Sequence, residues 1–346
     1  MAETSWGTDE SGVPPAQELM RLARGYMASQ IVGAAARLGL AEHLAEGPRT
    51  TSQLAAAIGA DEDALLRFLR AAVSVGLAEP HGTDGFAKTP MLELLLPGDR
   101  SLRSFVLSFT GAGLYRPLEE LHNVVRDGRS HTADVLGGDL WAYYKEHDDE
   151  STWFADTMGE QSEFAADVVL PRHDFTGGKK VVDVGGSHGV LLSRLLENTP
   201  DATGVVFDLP EVVSRARGYV ERRGLTDRVE FAGGSFLEEI PSGGDVYLLK
   251  SILCDWDDES CVKILSNIHR ASEPGTPLIV LDWLLPEKPD WFLDVTNIGL
   301  LAYTNGRVRN EEQYRALFAK AGYDLKRVET ATDSWLRVTV FEAVRP

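Results

Sequence analysis

A single thiol, Cys254, stands where an apolar run gives way to acidic residues. The run "DVYLLKSIL" precedes it, and Asp255, Trp256 and Asp257 follow. Such a break is typical of a buried strand that ends and an exposed element that begins. A thiol at this point can act as a general base, a covalent nucleophile, a metal ligand or a small apolar pocket residue.

The four roles of Cys254 can be weighed on its neighbours. A free thiol has a pKa of about 8.5, and burial beside Asp255 and Asp257 would raise it further, which disfavours a base. No histidine lies nearby to activate a nucleophile, and no histidine or cysteine spacing typical of zinc occurs. The sequence therefore favours a pocket residue over a base, and it predicts no metal site.

A glycine turn lies upstream, in "VVDVGGSHGVLLSRLL". This segment reads as a strand, a turn and a helix, with glycines at Gly185, Gly186 and Gly189. The dinucleotide fingerprint needs glycines at i, i+2 and i+5, but here Ser187 occupies the second of those positions. No P-loop motif is present either. The turn therefore indicates a cofactor without phosphate groups.

The next predicted strand, "GVVFDLP", ends in Asp208. A carboxylate at this strand end can accept hydrogen bonds from both ribose hydroxyls of an adenosine. The alternative is that Asp208 only caps the helix that begins at Pro210. We favour the ribose contact, because an acid after the second strand is a known solution for binding ribose.

The elements that must position these residues follow from hydrophobic periodicity. Residues 1–100 predict helices and a short hairpin that pairs "LAEP" with "GFAKT", an arrangement that resembles a winged-helix module. The predicted helix-capping residues are Thr51 or Ser52 for one helix and Asp61 for the next. Residues 101–170 predict connecting helices rich in aromatic residues, which we expect to contribute to a substrate pocket.

Residues 171–346 show a different hydrophobicity pattern. Short β-rich runs alternate with stretches of helix-forming length, which predicts an α/β domain with a parallel sheet and helices on both faces. The tail "YDLKRVETATDSWLRVTVFEAV" reads as two strands, an antiparallel hairpin at the sheet edge.

Charge and composition exclude several classes of protein. The net charge of −19 disfavours binding to nucleic acid and to anionic membranes. No apolar run approaches the roughly 20 residues that a membrane-spanning helix needs. The N-terminal segment has no signal-peptide pattern and reads as a flexible leader. The two cysteines are too far apart to pair, which fits a reduced, cytoplasmic setting.

The motifs "VVDVGGSHG", "VVFDLPEVV" and "YLLKSILCDWDD", in this order, resemble the S-adenosylmethionine-dependent small-molecule O-methyltransferases of plants (caffeate type) and of bacterial antibiotic pathways. The N-terminal module resembles the dimerisation domain of that family. The resemblance implies a class I methyltransferase fold with a Rossmann-like sheet, S-adenosylmethionine as cofactor, and a homodimer. Apolar helix faces around Ile31 and Leu38 suit that dimer better than a DNA-binding sensor, whose wing would be basic.

The resemblance also implies site residues. In the family, a hydroxyl matching Ser162 meets the cofactor carboxylate, and Ser235 replaces the usual aspartate beside the adenine. The implied cofactor-binding residues are Met158, Ser162, Gly185, Gly186, Asp208, Leu209, Ser235, Phe236, Lys250 and Trp256. The implied substrate-pocket residues are Phe154, Asn297 and Tyr303.

The family's catalytic base is a histidine immediately before "DW", and this chain has Cys254 there. Of the two acids that orient that histidine, Asp282 matches one and Val308 replaces the other. We therefore name Cys254, Asp282 and Asp255 as catalytic candidates, with Asp282 nearest the reacting oxygen and Asp255 expected to point away.

Two reactions remain open for such a site. One is O-methylation of an acidic aromatic or polyketide-like hydroxyl, driven mainly by proximity. The other keeps the cofactor as a fixed charge for a hydroxylation, decarboxylation or pericyclic cyclisation.

Overall fold

Two units make up the chain in the computed structural model, Met1–Gly111 and Ala112–Pro346. The structure describes residues 14–98, 101–333 and 336–346, so most of the predicted N-terminal leader lies outside the described residues. The division between the units comes after the seventh helix. The predicted connecting helices from Ala112 onward belong to the second unit.

The first unit contains seven described helices and a small antiparallel sheet with strand order β1-β3-β2. The helices are α1 Pro15–Ala23, α2 Gly25–Arg37, α3 Leu40–His43, α4 Thr51–Ile58, α5 Glu62–Ser74, α6 Pro90–Glu93 and α7 Arg103–Phe109. The strands are β1 Arg49–Thr50, β2 Ala78–His81 and β3 Gly85–Lys88. The pairing of β2 with β3 is the predicted hairpin.

The helix starts in this unit correct one prediction and confirm another. Thr50, not Thr51 or Ser52, caps α4, because its hydroxyl accepts the backbone N–H of Gln53 while the Gln53 side chain accepts the N–H of Thr50. This reciprocal pair is a capping box, which satisfies two donors at once. Asp61 caps α5, as predicted.

The second unit is a layered α/β structure. Its helices are α8 Ala112–Tyr115, α9 Leu121–Asp127, α10 Thr132–Leu136, α11 Leu140–Glu146, α12 Asp148–Val169, α13 Val190–Asn198, α14 Pro210–Arg222, α15 Asp258–Ala271, α16 Trp291–Thr304 and α17 Glu311–Lys320. Short 3₁₀ turns cover Arg116–Glu120, Thr226–Arg228 and Leu253–Asp255. Its strands are β4 Lys180–Val184, β5 Thr203–Asp208, β6 Val229–Gly233, β7 Val246–Lys250, β8 Pro277–Asp282, β9 Asp324–Asp333 and β10 Leu336–Val344.

The strands of this unit form one sheet with order β6-β5-β4-β7-β8-β10-β9. Strands β4 to β8 are parallel, and β10 runs antiparallel to both β8 and β9. The structure thus has the predicted parallel sheet and the predicted edge hairpin. Apolar clusters cover both faces, which explains why the strands read as nearly continuous apolar runs.

The register of the parallel strands decides where the polar residues meet. Val184 pairs with Phe207 and with Leu249, and Lys250 pairs with Leu281. The residues that end β4, β5, β7 and β8 therefore reach the same edge of the sheet, which is where ligands bind in open α/β sheets.

Candidate functional site

One cavity opens at this carboxyl edge of the sheet, wholly within the second unit, with a volume of about 360 Å³. Its walls come from α11, α12, the glycine turn, the start of α14, the turn after β6 and the loop after β7. All ten cofactor-binding residues implied by the resemblance line this cavity, and so do Phe154 and Asp255. Residues far apart in the sequence, such as Phe154 and Trp256 at 102 positions, line the same cavity because the strand ends converge there.

The glycine turn forms the floor of the cavity. Gly185 has φ +73°, and a Cβ added there would lie 2.4 Å from Cδ1 of Ile252, so only glycine fits. Its backbone N–H donates to the carbonyl of Phe207, which joins the turn to β5. Gly189, with φ +74°, then begins α13. The chain thus presents bare backbone to whatever the cavity holds.

Asp208 braces this turn from the neighbouring strand. Its carboxylate accepts the backbone N–H of Ser187 at 2.8 Å and that of Leu209 at 2.7 Å. Helix α14 has no side-chain cap, so Asp208 does not play the alternative role of a helix cap. Burial raises the pKa of Asp208, and the two N–H donors act against that rise. Each carboxylate oxygen keeps a free lone pair, which can still accept a ligand hydroxyl.

Asp183 is a site residue that the sequence reasoning missed. It lies inside β4, 2 % exposed, and lines the cavity beneath Gly186, whose added Cβ would lie 2.9 Å from Oδ2 of Asp183. That oxygen has no hydrogen-bond partner, and burial raises the pKa of the carboxyl to about 7. An acid in the apolar run "VVDV" was the available signal, since a buried acid is rare without a function.

Part of the cavity lining is aromatic. The rings of Phe236 and Trp256 meet edge to face, with centroids 5.7 Å apart. The amide of Asn267 donates to the carbonyl of Phe236 and fixes the turn after β6. In that turn, the hydroxyl oxygen of Ser235 accepts the N–H of Leu237 at 3.3 Å. An edge-to-face pair beside a polar turn can hold a purine by stacking and hydrogen bonds.

Helices α11 and α12 supply the remaining wall. Phe154 packs against Trp141 at 5.9 Å and Tyr144 at 5.3 Å between ring centroids, and all three line the cavity. Further along α12, the hydroxyl of Ser162 donates to the carbonyl of Met158 at 2.7 Å. Ser162 must therefore rotate its hydroxyl before it can donate to a cofactor carboxylate.

Cys254 does not line this cavity. It is 2 % exposed and packs with Leu300 and Val308 in a small apolar cluster. Burial raises the pKa of the Cys254 thiol well above its ordinary value, and the negative charges of Asp282 and Asp255 raise it further. A thiol in this position stays protonated at neutral pH, so the geometry favours the apolar-residue interpretation over the base.

Asp282 also lies outside the lining of this cavity. Its carboxylate accepts the backbone N–H of Cys254 at 3.1 Å and that of Trp283 at 2.8 Å. It is 2 % exposed, and burial raises its pKa. Asp282 therefore fixes the backbone of the loop instead of facing a substrate.

Two predicted pocket residues also lie elsewhere. The side-chain oxygen of Asn297 accepts the backbone N–H of Val308 at 2.8 Å, and Tyr303 packs in the aromatic cluster with Leu114 and Tyr144. Neither residue lines the cavity, because α16 presents them to neighbouring loops and helices.

Asp255, expected to point away, lines the cavity beside Lys250. The 3₁₀ turn Leu253–Asp255 sends consecutive side chains to different sides, Cys254 into the protein and Asp255 toward the opening. Burial and the charge of Asp282 raise the pKa of Asp255 to about 7, while Lys250 acts in the opposite direction. Burial likewise lowers the pKa of Lys250.

Arg309 is a second residue that sequence reasoning missed. Its guanidinium is fully buried and donates to the carbonyls of Leu253 and Trp256, both at 2.7 Å, and pairs with Asp258 at 2.8 Å. One side chain thus holds both ends of the loop that carries Asp255. A guanidinium suits this task because its donors are fixed in a planar fork.

The chemical groups of these residues match those of S-adenosylmethionine. The cofactor carries an ammonium, two ribose hydroxyls and a purine; Asp183 offers an unpaired buried acceptor, Asp208 a second carboxylate, and Phe236 with Trp256 a stacking surface. Among the described residues, no group of three or more histidines, cysteines or acids could hold a metal ion.

Comparison with known proteins gives the family. The O-methyltransferase domain family matches residues 118–324, and the O-methyltransferase dimerisation domain matches residues 20–98. A 3-amino-4-hydroxybenzoate 4-O-methyltransferase of Streptomyces cremeus is 37% identical over 318 residues, covering 91% of this chain and 87% of that protein. Some other relatives are N-methyltransferases.

Solved structures agree over nearly the whole chain. The mitomycin 7-O-methyltransferase MmcR has a TM-score of 0.90 at 33% identity, covering 96% of this chain and 98% of that one. The O-methyltransferase NcsB1 from neocarzinostatin biosynthesis, solved with S-adenosylmethionine and 2-hydroxy-5-methyl naphthoic acid, has a TM-score of 0.81 at 29% identity, covering 92% and 96%. The chain therefore belongs to the O-methyltransferase family and is an S-adenosylmethionine-dependent methyltransferase with an N-terminal dimerisation domain.

Proposed function

We propose that this enzyme methylates a hydroxyl group on a flat aromatic or polyketide-like molecule in specialised, antibiotic-type metabolism. The observation that carries the proposal is the continuity of the cavity. The aromatic wall of Trp141, Tyr144 and Phe154 and the residues that fit the cofactor line the same space of about 360 Å³. A planar substrate stacked on that wall is held against the cofactor, and aromatic pairs of this kind favour flat ligands.

When bound, S-adenosylmethionine supplies a methyl group that leaves a neutral thioether behind. The protein then needs to align the acceptor oxygen and exclude water. Alignment of this kind supplies more than a general base, whose contribution is about 10²–10⁴-fold. Because Cys254 is buried and protonated, we propose that proximity provides most of the rate and that the best substrates have acidic hydroxyls.

The relatives support an acidic aromatic substrate. One is named for a hydroxybenzoate, and another was solved with a hydroxylated naphthoic acid. Phenolic hydroxyls ionise far more readily than aliphatic alcohols, so they react once they are aligned. Nitrogen acceptors, as in some relatives, are the second acceptor class to test.

We further propose that the enzyme works as a homodimer in the cytoplasm, without nucleic-acid or membrane partners. The match of residues 20–98 to a dimerisation domain supports the homodimer. Helices α1 and α2 carry large exposed apolar side chains that a second copy would cover, among them Leu19, Leu22 and Met27. None of the described helices is both long and apolar enough to cross a membrane.

The test uses methyl-labelled S-adenosylmethionine with a panel of hydroxylated benzoic and naphthoic acids, and with the same compounds as pre-formed methyl ethers. We expect label to enter the free phenols and S-adenosylhomocysteine to accumulate, with no label in the ethers. Consumption of a substrate while S-adenosylmethionine stays intact would instead support the alternative reaction class, in which the cofactor acts as a fixed charge.

A further inference from the structure

Of the three catalytic candidates, only Asp255 reaches the cavity. Cys254 and Asp282 lie behind it, each 2 % exposed. Resting on the proposed function, we propose that Asp255 is a catalytic residue that accepts the proton of the substrate hydroxyl. The base has thus moved one residue along the chain from the position that Cys254 occupies.

The proton transfer is simple to write. The hydroxyl proton passes to a carboxylate oxygen of Asp255, and the electron pair of the broken O–H bond stays on the substrate oxygen, which is then the nucleophile. After the product leaves, Asp255 releases the proton to solvent. The step needs no oxidant, reductant or metal.

Titratable groups from three segments lie near Asp255. Lys250, at the end of β7, favours the carboxylate; Asp282, at the end of β8, favours the protonated acid; Cys254, on the same turn, is neutral. Burial is the main cause, and the charge of Asp282 adds to it; together they raise the pKa of Asp255 to about 7. A base is most effective when its pKa lies near the working pH, so Asp255 suits proton transfer at neutral pH.

The other acids that line the cavity make other contacts or lie at the part that fits the cofactor. Asp208 is fixed by the N–H groups of Ser187 and Leu209. Asp183 lies beneath Gly186 in the floor that fits the cofactor, and Glu211 pairs with Lys145 at 2.7 Å. Asp255 is the acid in this lining that has no ion-pair partner within 4 Å and no backbone N–H donor among the described residues.

The experiment compares the wild type, Asp255→Asn and a matched control, Glu259→Gln, which changes an exposed acid in the first turn of α15. Label transfer is measured from pH 5.5 to 9 with phenols of graded acidity. For every phenol, we expect kcat/KM of the wild type to increase with pH, with the midpoint of the increase at about pH 7. In Asp255→Asn we expect a loss of about 10²-fold for weakly acidic phenols and less for strongly acidic ones, as for a missing base.

The shape of the pH profile separates a base from a structural role. In Asp255→Asn, the midpoint of the increase in kcat/KM with pH should shift with the pKa of each phenol instead of staying at about pH 7. Glu259→Gln should give the same profile as the wild type. A second readout needs no turnover: infrared difference spectra of the S-adenosylhomocysteine complex should show a carboxyl group that titrates near pH 7 and is missing from Asp255→Asn. Calorimetric binding of S-adenosylhomocysteine shows that the variant is folded.

The outcomes distinguish the two proposals. If the wild type transfers no label to any hydroxyl, the proposed function is wrong. If the wild type transfers label and Asp255→Asn keeps both its rate and its rise at about pH 7, the proposed function stands and the role of Asp255 is overturned.

Discussion

The carboxylate of Asp282 accepts the backbone N–H of Cys254, with 3.1 Å between the nitrogen and Oδ2. This contact fixes the main chain of the short turn that carries Cys254. The thiol itself packs against Leu300 and Val308. Cys254, Leu300 and Val308 thus form one small apolar cluster beside the carboxylate of Asp282.

We first predict that the thiol of Cys254 is unreactive in the native enzyme. Its thiol is buried and its pKa is raised well above the ordinary value, and burial raises the pKa of Cys261 to about 12. Because the thiolate is the reactive form, iodoacetamide at pH 8 should alkylate neither cysteine in the native enzyme and both after denaturation. Mass spectrometry of the peptides checks this. Rapid native alkylation of Cys254 with loss of activity would contradict it.

A second prediction concerns Asp183 and the pH dependence of stability. A carboxyl whose pKa rises from 3.8 to about 7 on folding binds its proton more tightly in the folded state. Stability therefore falls as pH rises from about 4 to about 7, and the shift corresponds to about 4 kcal/mol at most. Asp183→Asn should thus raise the free energy of unfolding of the cofactor-free protein, by more at pH 8 than at pH 5.

The same substitution should weaken cofactor binding, because the unpaired Oδ2 is the acceptor that fits the cofactor's ammonium. Urea unfolding and S-adenosylhomocysteine calorimetry measure the two effects on one variant. Asp227→Asn, at an exposed acid, is the control and should change neither. A stability gain that is equal at both pH values would show that titration of Asp183 is not its cause.

A third prediction separates backbone strain from close contact in the glycine turn. Gly185→Ala meets both a positive φ and Cδ1 of Ile252 at 2.4 Å, so either the Ile252 side chain or the turn must shift. We expect at least a tenfold loss in S-adenosylhomocysteine affinity. Gly243→Ala is matched in φ, at +79°, but has open space around it. It should cost about 1–2 kcal/mol of stability and leave cofactor affinity unchanged; equal affinity losses in both variants would contradict the account.

A fourth prediction tests Arg309 as a positioning residue for the loop of Asp255. Arg309→Lys keeps the charge but cannot donate to both the Leu253 and Trp256 carbonyls in the same geometry. Each buried acceptor left unpaired costs about 1–3 kcal/mol, so we expect a loss of about 2–4 kcal/mol in denaturant unfolding. Arg315→Lys, which alters an exposed helical pair with Glu311, should cost under about 0.5 kcal/mol.

The activity of Arg309→Lys adds a readout that stability alone does not move. If the variant is assayed where it is fully folded, a looser loop should lower kcat more than it raises KM. A variant that unfolds more easily but keeps the wild-type kcat would confine Arg309 to a structural role.

The sheet and the cofactor wall could be predicted because they depend on patterns that one sequence displays. Apolar strands alternate with helical stretches, and parallel strands must bring their carboxyl ends to one edge. The glycine turn after β4 and Asp208 at the end of β5 could therefore be assigned to a cofactor site from the pattern, whereas Lys250 came from the resemblance alone. The resemblance to a known family added residues of α12 to the cofactor site, which periodicity could not have assigned.

The catalytic side of the cavity could not be predicted in the same way. Which of Cys254 and Asp255 faces the opening depends on the 3₁₀ turn that carries them, and a shift of one residue in a tight turn reverses the answer. The buried fork of Arg309 depends on a contact across 53 or more positions in the chain. Neither feature leaves a periodic trace, so the sequence alone could not show that Asp255 lines the cavity and that Arg309 holds its loop.

The most direct measurement is a single turnover with ¹³C-methyl S-adenosylmethionine and a hydroxylated naphthoic acid, run with the wild type and Cys254→Ala side by side. We predict one aryl O–¹³CH₃ signal per S-adenosylhomocysteine formed in both proteins, with rates within about threefold, because Cys254 lies outside the cavity and takes no proton. Substrate conversion with the label still on sulfur, or activity that disappears with the thiol, would contradict the account.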